Sequence, residues 1–236
     1  MQALVIIPTY NEKENIAAII NAVFALNEGY EVLIIDDGSP DGTAAIVKEL
    51  QQGNTALHLV QRIGKLGLGT AYIAGFKWAL ERTYDYIFEM DADFSHKPQD
   101  LPRLLAACIS NNAGLAVGSR YIKGGKVINW PIGRILMSYF GSVYVRSILW
   151  INVKDTTAGF KCYARKTLET LPLNEIQFTG YAFQIEMKYR TLLKGFKIIE
   201  VPIVFEDRKL GTSKMGSSIF KEALLGVLKL KFQRFN

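Results

Sequence analysis

Four times in the first half of the chain an apolar run gives way to a polar turn and then to residues spaced as one face of a helix. That alternation leaves few folds open. "ALVIIPTY" reads as a buried strand ending in a turn at Pro8, followed by Ile16, Ile19, Ile20, Val23 and Phe24 at helical spacing. "EVLIIDDGSPDGT" repeats the unit, leading to a helix with Ile46, Val47 and Leu50. "ALHLVQ" leads to a third helix with Leu68, Ala71, Tyr72, Gly75 and Ala79 on one side. "YIFEM" leads past two aspartates to Leu101, Leu104, Leu105 and Cys108, and "LAVGSRY" is a further strand. Repeated βαβ units predict an α/β fold, a mostly parallel sheet with helices on both faces. Ligands bind such sheets beyond the carboxyl ends of the strands.

The second half is less regular, with amphipathic segments around 131–152 and 216–235 and a strand-like "KIIEVPIVF". With no repeat, low-complexity tract or linker, we expect one domain over 1–215 that includes the helices near 131–152. A basic amphipathic helix over 216–236 would complete it. The "GKLGLG" run lacks the full glycine pattern of a dinucleotide site and does not follow the first strand, so that reading is rejected.

A net charge of +6 suits an anionic partner: a phosphorylated ligand, a membrane surface or nucleic acid. No basic-aromatic motif of a nucleic-acid module is present, so nucleic acid is set aside. Cys108 and Cys162 form neither a disulfide framework nor a metal-ligand spacing. The N-terminus carries no basic region of a signal peptide, and a cytoplasmic setting is expected. Residues 135–153 come nearest to a membrane span, but Arg146 interrupts them and Arg134 precedes them. The apolar stripe of 131–152 fits a buried core helix, or, with Trp and Tyr between arginines, a helix lying on a membrane surface; the lysine-broken C-terminal segment reads as a membrane-surface or partner-docking helix.

Three polar clusters fall at strand ends: Thr9-Tyr10-Asn11-Glu12, Asp36-Asp37-Gly38-Ser39 and Asp91-Ala92-Asp93. A D-x-D pair alone could cap a helix, serve acid-base chemistry or hold a metal. With Asp36 and Asp37 on the same sheet edge, four carboxylates share one crevice, and a bound cation relieves their repulsion most simply. Mg²⁺ is commonly held by one or two carboxylates plus phosphate oxygens. The inferred ligand is a metal-bound diphosphate of a nucleotide.

"PTYNEKENI", "IIDDGSPDGT", "KLGLGTAY", "MDADFSHKP", "GSRY", "TAGFK" and "DRKLGTSK" occur here in one order. Together they resemble the dolichol-phosphate (polyprenol-phosphate) mannosyltransferases of glycosyltransferase family 2, with the GT-A fold, in the short form without C-terminal transmembrane helices. The resemblance implies transfer of mannose from GDP-mannose to a polyprenyl or dolichyl phosphate, with inversion. It implies a donor site of Pro8, Tyr10, Glu12, Ile35, Asp37, Asp91, Ala92, Arg208 and Lys214. It makes Asp91 and Asp93 ligands of Mg²⁺ or Mn²⁺, with Asp93 the principal one. It places Arg120, Arg134 and Ser138 at the acceptor phosphate and makes Asp93, Arg120 and Arg134 the catalytic set. The protein would be peripheral on the cytosolic face of a membrane, with a small membrane-anchoring subunit as a possible partner. Ser95 stands where some relatives carry Gln, and His96 reads as helix-start packing. Asp36 reads either as a site residue or as a structural one. Asp155 is a weaker candidate for orienting the acceptor. The alternatives are another donor, such as UDP-glucose, and a non-catalytic protein that keeps the fold.

Acceptor chemistry explains the arginines. A diphosphate and a monophosphate of about two charges each, about 5 Å apart, repel by roughly 3 kcal/mol even at the dielectric of water. Arg120, Arg134, Arg208 and Lys214 would offset this. A phosphate monoester has a second pKa of about 6, so it is anionic near pH 7 and requires no protein base.

Overall fold

The computed structural model describes residues 1–208 and 218–233, with the backbone alone at Tyr181 and 218–224. Its elements run β1 (Ala3–Thr9), α1 (Ile16–Phe24), β2 (Glu31–Asp36), α2 (Thr43–Gln51), β3 (Leu57–Gln61), α3 (Leu68–Leu80), β4 (Tyr86–Glu89), α4 (Leu101–Ser110) and β5 (Leu115–Ser119). β6 (Lys126–Ile128), α5 (Ile132–Leu149), β7 (Lys161–Ala164), α6 (Arg165–Thr170), α7 (Tyr181–Leu193), β8 (Ile198–Pro202), β9 (Val204–Glu206) and α8 (Ser218–Phe232) follow.

The main sheet has the order β3-β2-β1-β4-β7-β5-β8. All its neighbours pair in parallel except β7, which lies antiparallel between β4 and β5. The sheet is therefore mixed and mostly parallel, as the βαβ pattern predicts. β7 was not legible as a strand, and "KIIEVPIVF" divides into β8 and β9. β9 leaves the sheet to pair with β6 as a separate parallel ribbon.

Both faces of the sheet are covered, which is why β1, β2 and β5 carry continuous apolar runs rather than alternating ones. Along β1, Val5 and Ile7 enter the core under α1 and α4, and Leu4 and Ile6 enter the one under α3 and α7. Each fully buried aliphatic contributes about 1.5–3 kcal/mol. α3 lies close to the sheet because position 75 is glycine: a Cβ there would stand 2.7 Å from the Ile6 side chain. A third cluster joins Val145 and Leu149 of α5, Ile185 of α7, and Val227 and Leu230 of α8. Among the described residues no helix is long and apolar enough to cross a membrane.

Candidate active site

β1, β2 and β4 are neighbours in the sheet, so the three polar clusters at their carboxyl ends share one edge. The strand order reverses at β1 and β4, the switch point where α/β sheets open a crevice. The two adjacent aspartates after β2 do different work. Asp36 is fully buried and accepts from Thr9 Oγ1 at 2.9 Å and from the Ser39 amide and hydroxyl at 3.0 and 2.6 Å. It braces β1 against the β2 turn, the structural role allowed for it. Asp37 instead meets Arg62, whose Nε donates to Oδ1 at 2.7 Å and whose Nη2 stands 2.6 Å from it.

Of the other residues expected around the donor base, Pro8 and Tyr10 are half-buried, and the Lys65 ammonium lies 5.2 Å from the Tyr10 ring centre. Glu12 is buried where α1 begins: its amide donates to Thr43 Oγ1 and its carboxylate accepts from Asn15 Nδ2, both at 3.0 Å. Ile35 is fully buried in the core under α3, so it backs the crevice and presents no side-chain surface to it.

After β4 the charges crowd. Packing around the Asp91 carboxyl, then the charges of Asp93 and Glu89, raise its pKa to about 7, against the opposing pull of Arg208 and Tyr72. Asp93 is turned inward: Oδ1 accepts from the Ser95 amide and hydroxyl at 3.1 and 2.6 Å, and Oδ2 pairs with Arg208 Nη2 at 2.8 Å. Ser95 thus orients Asp93. Ala92 is buried between the two acids. His96 is buried, stacks on Phe160 with ring centres 4.9 Å apart, and accepts the Asp91 amide on Nδ1 at 3.2 Å. Burial lowers its pKa to about 4, which makes it a neutral packing group, as the sequence suggests.

Among the described residues no three Asp, Glu, His or Cys side chains gather as a metal cage. Asp91 and Asp93 are carboxylates one residue apart, and after burial it is the charge of Asp93 that raises the Asp91 pKa most. Such a pair suits a cation whose coordination phosphate oxygens complete. Glu89 lies behind it, fully buried, held by Lys161 Nζ and Tyr163 Oη at 3.0 Å and by Gln184 Nε2 at 2.9 Å.

The arginines expected at the acceptor converge on aromatic rings. The Arg134 guanidinium lies 3.8 Å from the Trp130 ring centre, and that of Arg120 lies 5.5 Å from Trp130 and 5.4 Å from Phe205. Their partners differ. Arg120 is buried and donates through its amide, Nε and Nη2 to Asp155 at 2.9, 2.7 and 2.7 Å. Asp155 is itself fully buried and is anchored through its amide to Glu200 at 2.9 Å. Asp155 therefore orients Arg120. Arg134 is more open and reaches Asp207 at 3.2 and 3.3 Å. Ser138, one turn further along α5, is half-buried beside Tyr121. Asp207 immediately precedes Arg208, so one peptide unit links Arg134 to Asp93. Lys214 lies outside the described residues.

Sequence reasoning did not single out Arg62, Asp207 or the Glu89–Lys161–Gln184 group. Arg62 directly follows β3 and Glu89 is a charge inside an apolar run, which were the available signals. Their partners lie 25 and 72 or more positions away.

A mostly parallel sheet with strand-end carboxylates at its switch point and arginines beside them suits a phosphorylated ligand. Residues 4–171 match the family described as Glycosyl transferase family 2, and the chain belongs to it. Over 227 residues it is 45% identical to a polyprenol monophosphomannose synthase of Mycolicibacterium smegmatis, covering 96% of this chain and 85% of that protein. It is also 45% identical over 229 residues to an undecaprenyl-phosphate mannosyltransferase of Micrococcus luteus, covering 97% and 93%. Two more distant solved structures are alike in fold. A glucosyl-3-phosphoglycerate synthase of Mycobacterium tuberculosis, in complex with Mn²⁺, UDP and glucosyl-3-phosphoglycerate, superposes with a TM-score of 0.70 at 18% identity, over 97% of this chain and 79% of that one. A mannosyltransferase of Pyrobaculum calidifontis, in complex with GDP-Man and Mn²⁺, gives 0.60 at 16%, over 97% and 69%. The fold is GT-A-like.

Proposed function

We propose that this chain transfers mannose from GDP-mannose to a polyprenyl (dolichol-type) monophosphate, with inversion, giving polyprenyl phosphate mannose. The observation that carries this is the 45% identity, over nearly the whole chain, to two relatives named for mannosyl transfer to such lipids. The geometry supports it, because carboxylates suited to a metal-bound diphosphate lie next to an arginine-aromatic cluster suited to a phosphate.

On the donor side, Pro8, Tyr10, Glu12 and Asp37 take the base, with Ile35 behind them. Asp91 and Ala92 adjoin the sugar and phosphates, and Arg208 and Lys214 take diphosphate charge. Asp93 and Asp91 would hold Mg²⁺ or Mn²⁺, which when bound neutralises charge on the leaving diphosphate. On the acceptor side, Arg134 and Arg120 receive the phosphate with Ser138 beside them. The planar guanidinium fits phosphate oxygens bidentately. Asp155 is committed to Arg120, which agrees with a reaction in which the acceptor phosphate needs no protein base.

The outer surface of the helices suits a lipid interface. Ile132, Leu136, Met137, Tyr139 and Phe140 of α5 and Leu225, Leu228 and Phe232 of α8 are exposed. Lys231 Nζ stands 3.4 Å from the ring centre of exposed Trp150. Apolar and basic groups together favour a peripheral position on the cytosolic face of a membrane, alone or with a small anchoring subunit.

The test is transfer by purified protein with undecaprenyl or dolichyl phosphate and labelled GDP-mannose or UDP-glucose, with and without Mg²⁺. Metal-dependent mannosyl lipid from GDP-mannose is expected. Glucosyl lipid from UDP-glucose would overturn the donor. No lipid product from either, with membranes supplied, would favour a non-catalytic role.

A further inference from the structure

The Arg62–Asp37 pair is among the best-made ion pairs of the crevice. Its side chains are only 11% and 8% exposed, and no step of the proposed transfer uses Arg62. Its backbone and side chain bind three elements together. The Arg62 amide donates to the Asp36 carbonyl at 2.8 Å, fixing the end of β3 to the end of β2. Nη1 donates to Thr70 Oγ1 at 2.9 Å and Nη2 to the Gly67 carbonyl at 3.4 Å, which ties down the loop that opens α3. That loop returns to the same carboxylate through the Leu66 amide, 3.2 Å from Asp37 Oδ2. Gly67 takes φ of 101° and Gly38 of 66°, both in the left-handed region that suits glycine. At Gly38 a Cβ would stand 3.0 Å from the Gly64 amide nitrogen, so the two turns pack backbone to backbone. The loop also carries Lys65 across to the Tyr10 ring. The loop at 64–67 therefore lies beside both Tyr10 and Asp37, with Arg62 packed against Asp37.

We propose that Arg62 is a positioning residue for recognition of the nucleotide base: it holds the Asp37 carboxylate in one orientation and locks the 64–70 loop against it. The inference rests on the donor assignment made above and deepens it. Asp37 Oδ1 takes both Arg62 contacts, while Oδ2 takes the single Leu66 amide. An ionised carboxylate is acceptor-only, with about four lone-pair sites, so Oδ2 retains capacity for a base N–H. A carboxylate fixed in this way selects a base that presents a ring N–H at its edge. Guanine (N1–H beside an amino group) and uracil (N3–H) qualify; adenine has no such ring N–H. A mobile carboxylate would lose that selection, and the diphosphate contacts, which lie at Asp91, Asp93 and Arg208, would not change.

The experiment is calorimetric binding of GDP, UDP, ADP and inorganic diphosphate, each with Mg²⁺, to the full chain, to Arg62→Ala and to Arg62→Lys. For the wild type, GDP or UDP should bind more tightly than ADP and inorganic diphosphate. Arg62→Ala should weaken the preferred nucleotide by about tenfold or more, the equivalent of one charge-assisted contact. Affinity for inorganic diphosphate should stay unchanged. Arg62→Lys, which keeps the charge but loses the fork, should fall between the two and carries the test if the alanine variant folds poorly. Equal weakening of nucleotide and diphosphate would show a purely structural residue, and unchanged base preference in both variants would show no role; either overturns the inference. A wild type that binds none of the nucleotides would overturn the functional reading itself.

Discussion

At the scale of single residues, the two arginines proposed for the acceptor should separate in experiment because their partners differ. Arg120 donates three bonds to buried Asp155, whereas Arg134 is partly open and lies over Trp130. Arg134→Ala should raise the KM for polyprenyl phosphate by about tenfold or more and leave the KM for GDP-mannose near wild type, as loss of a charge-assisted phosphate contact requires. Equal change in both constants in steady-state assays would remove Arg134 from the acceptor site. Asp155→Ala takes the carboxylate away from the buried Arg120 guanidinium, which keeps Thr157 Oγ1 at 2.9 Å, and should cost about 3–5 kcal/mol in denaturant unfolding. Arg120 holds the Asp155 carboxyl below the usual carboxylate range despite burial. A carboxylate lowered on folding stabilises above its unfolded pKa, and that stability is lost as pH falls through the folded pKa. Wild-type stability should therefore drop below about pH 4, and Asp155→Asn should flatten that part of the profile. An unaltered acid limb would contradict the pairing. Asp93→Ala should lower kcat about hundredfold or more if it anchors the metal at the leaving group.

At the scale of elements, the contact of α3 with β1 depends on a missing side chain. Gly75→Val should destabilise by about 1–3 kcal/mol through overpacking against Ile6, and adding Ile6→Ala should restore part of the loss. A neutral Gly75→Val in thermal unfolding would mean that the helix sits further from the sheet. α5 and α8 divide their faces: Val145, Leu149, Val227 and Leu230 point inward, and Leu136, Phe140, Leu225 and Phe232 point outward. Replacing Leu136 and Phe140 with Ser should weaken sedimentation with anionic vesicles several-fold without lowering stability, since both are exposed. Unchanged vesicle binding would take α5 out of the interface.

At the scale of the whole molecule, the sheet brings to one edge residues that the sequence scatters over 200 positions, and what could be read beforehand follows from that. β1, β2 and β5 were legible because strands covered on both faces are apolar runs, and β1, β2 and β4 because polar clusters mark their ends. β7 was not: "KCYA" holds Lys161 and Tyr163, which look exposed until Glu89 from β4 is placed against them. The positions of Asp91, Asp93, Arg120 and Arg134 were expected from motif resemblance, but their partners were not. Arg62 with Asp37, Asp155 with Arg120 and Asp207 with Arg134 are long-range pairs, and no local period encodes them. Ile35 shows the converse, since its place in a motif did not reveal that its side chain faces the core under α3. The most direct test of the whole reading is the anomeric configuration of the product, by NMR of lipid made from ¹³C-labelled GDP-α-mannose and undecaprenyl phosphate. In-line attack by the lipid phosphate at the anomeric carbon predicts β-mannosyl phosphate; α-mannosyl phosphate, or free mannose in place of lipid product, would contradict it.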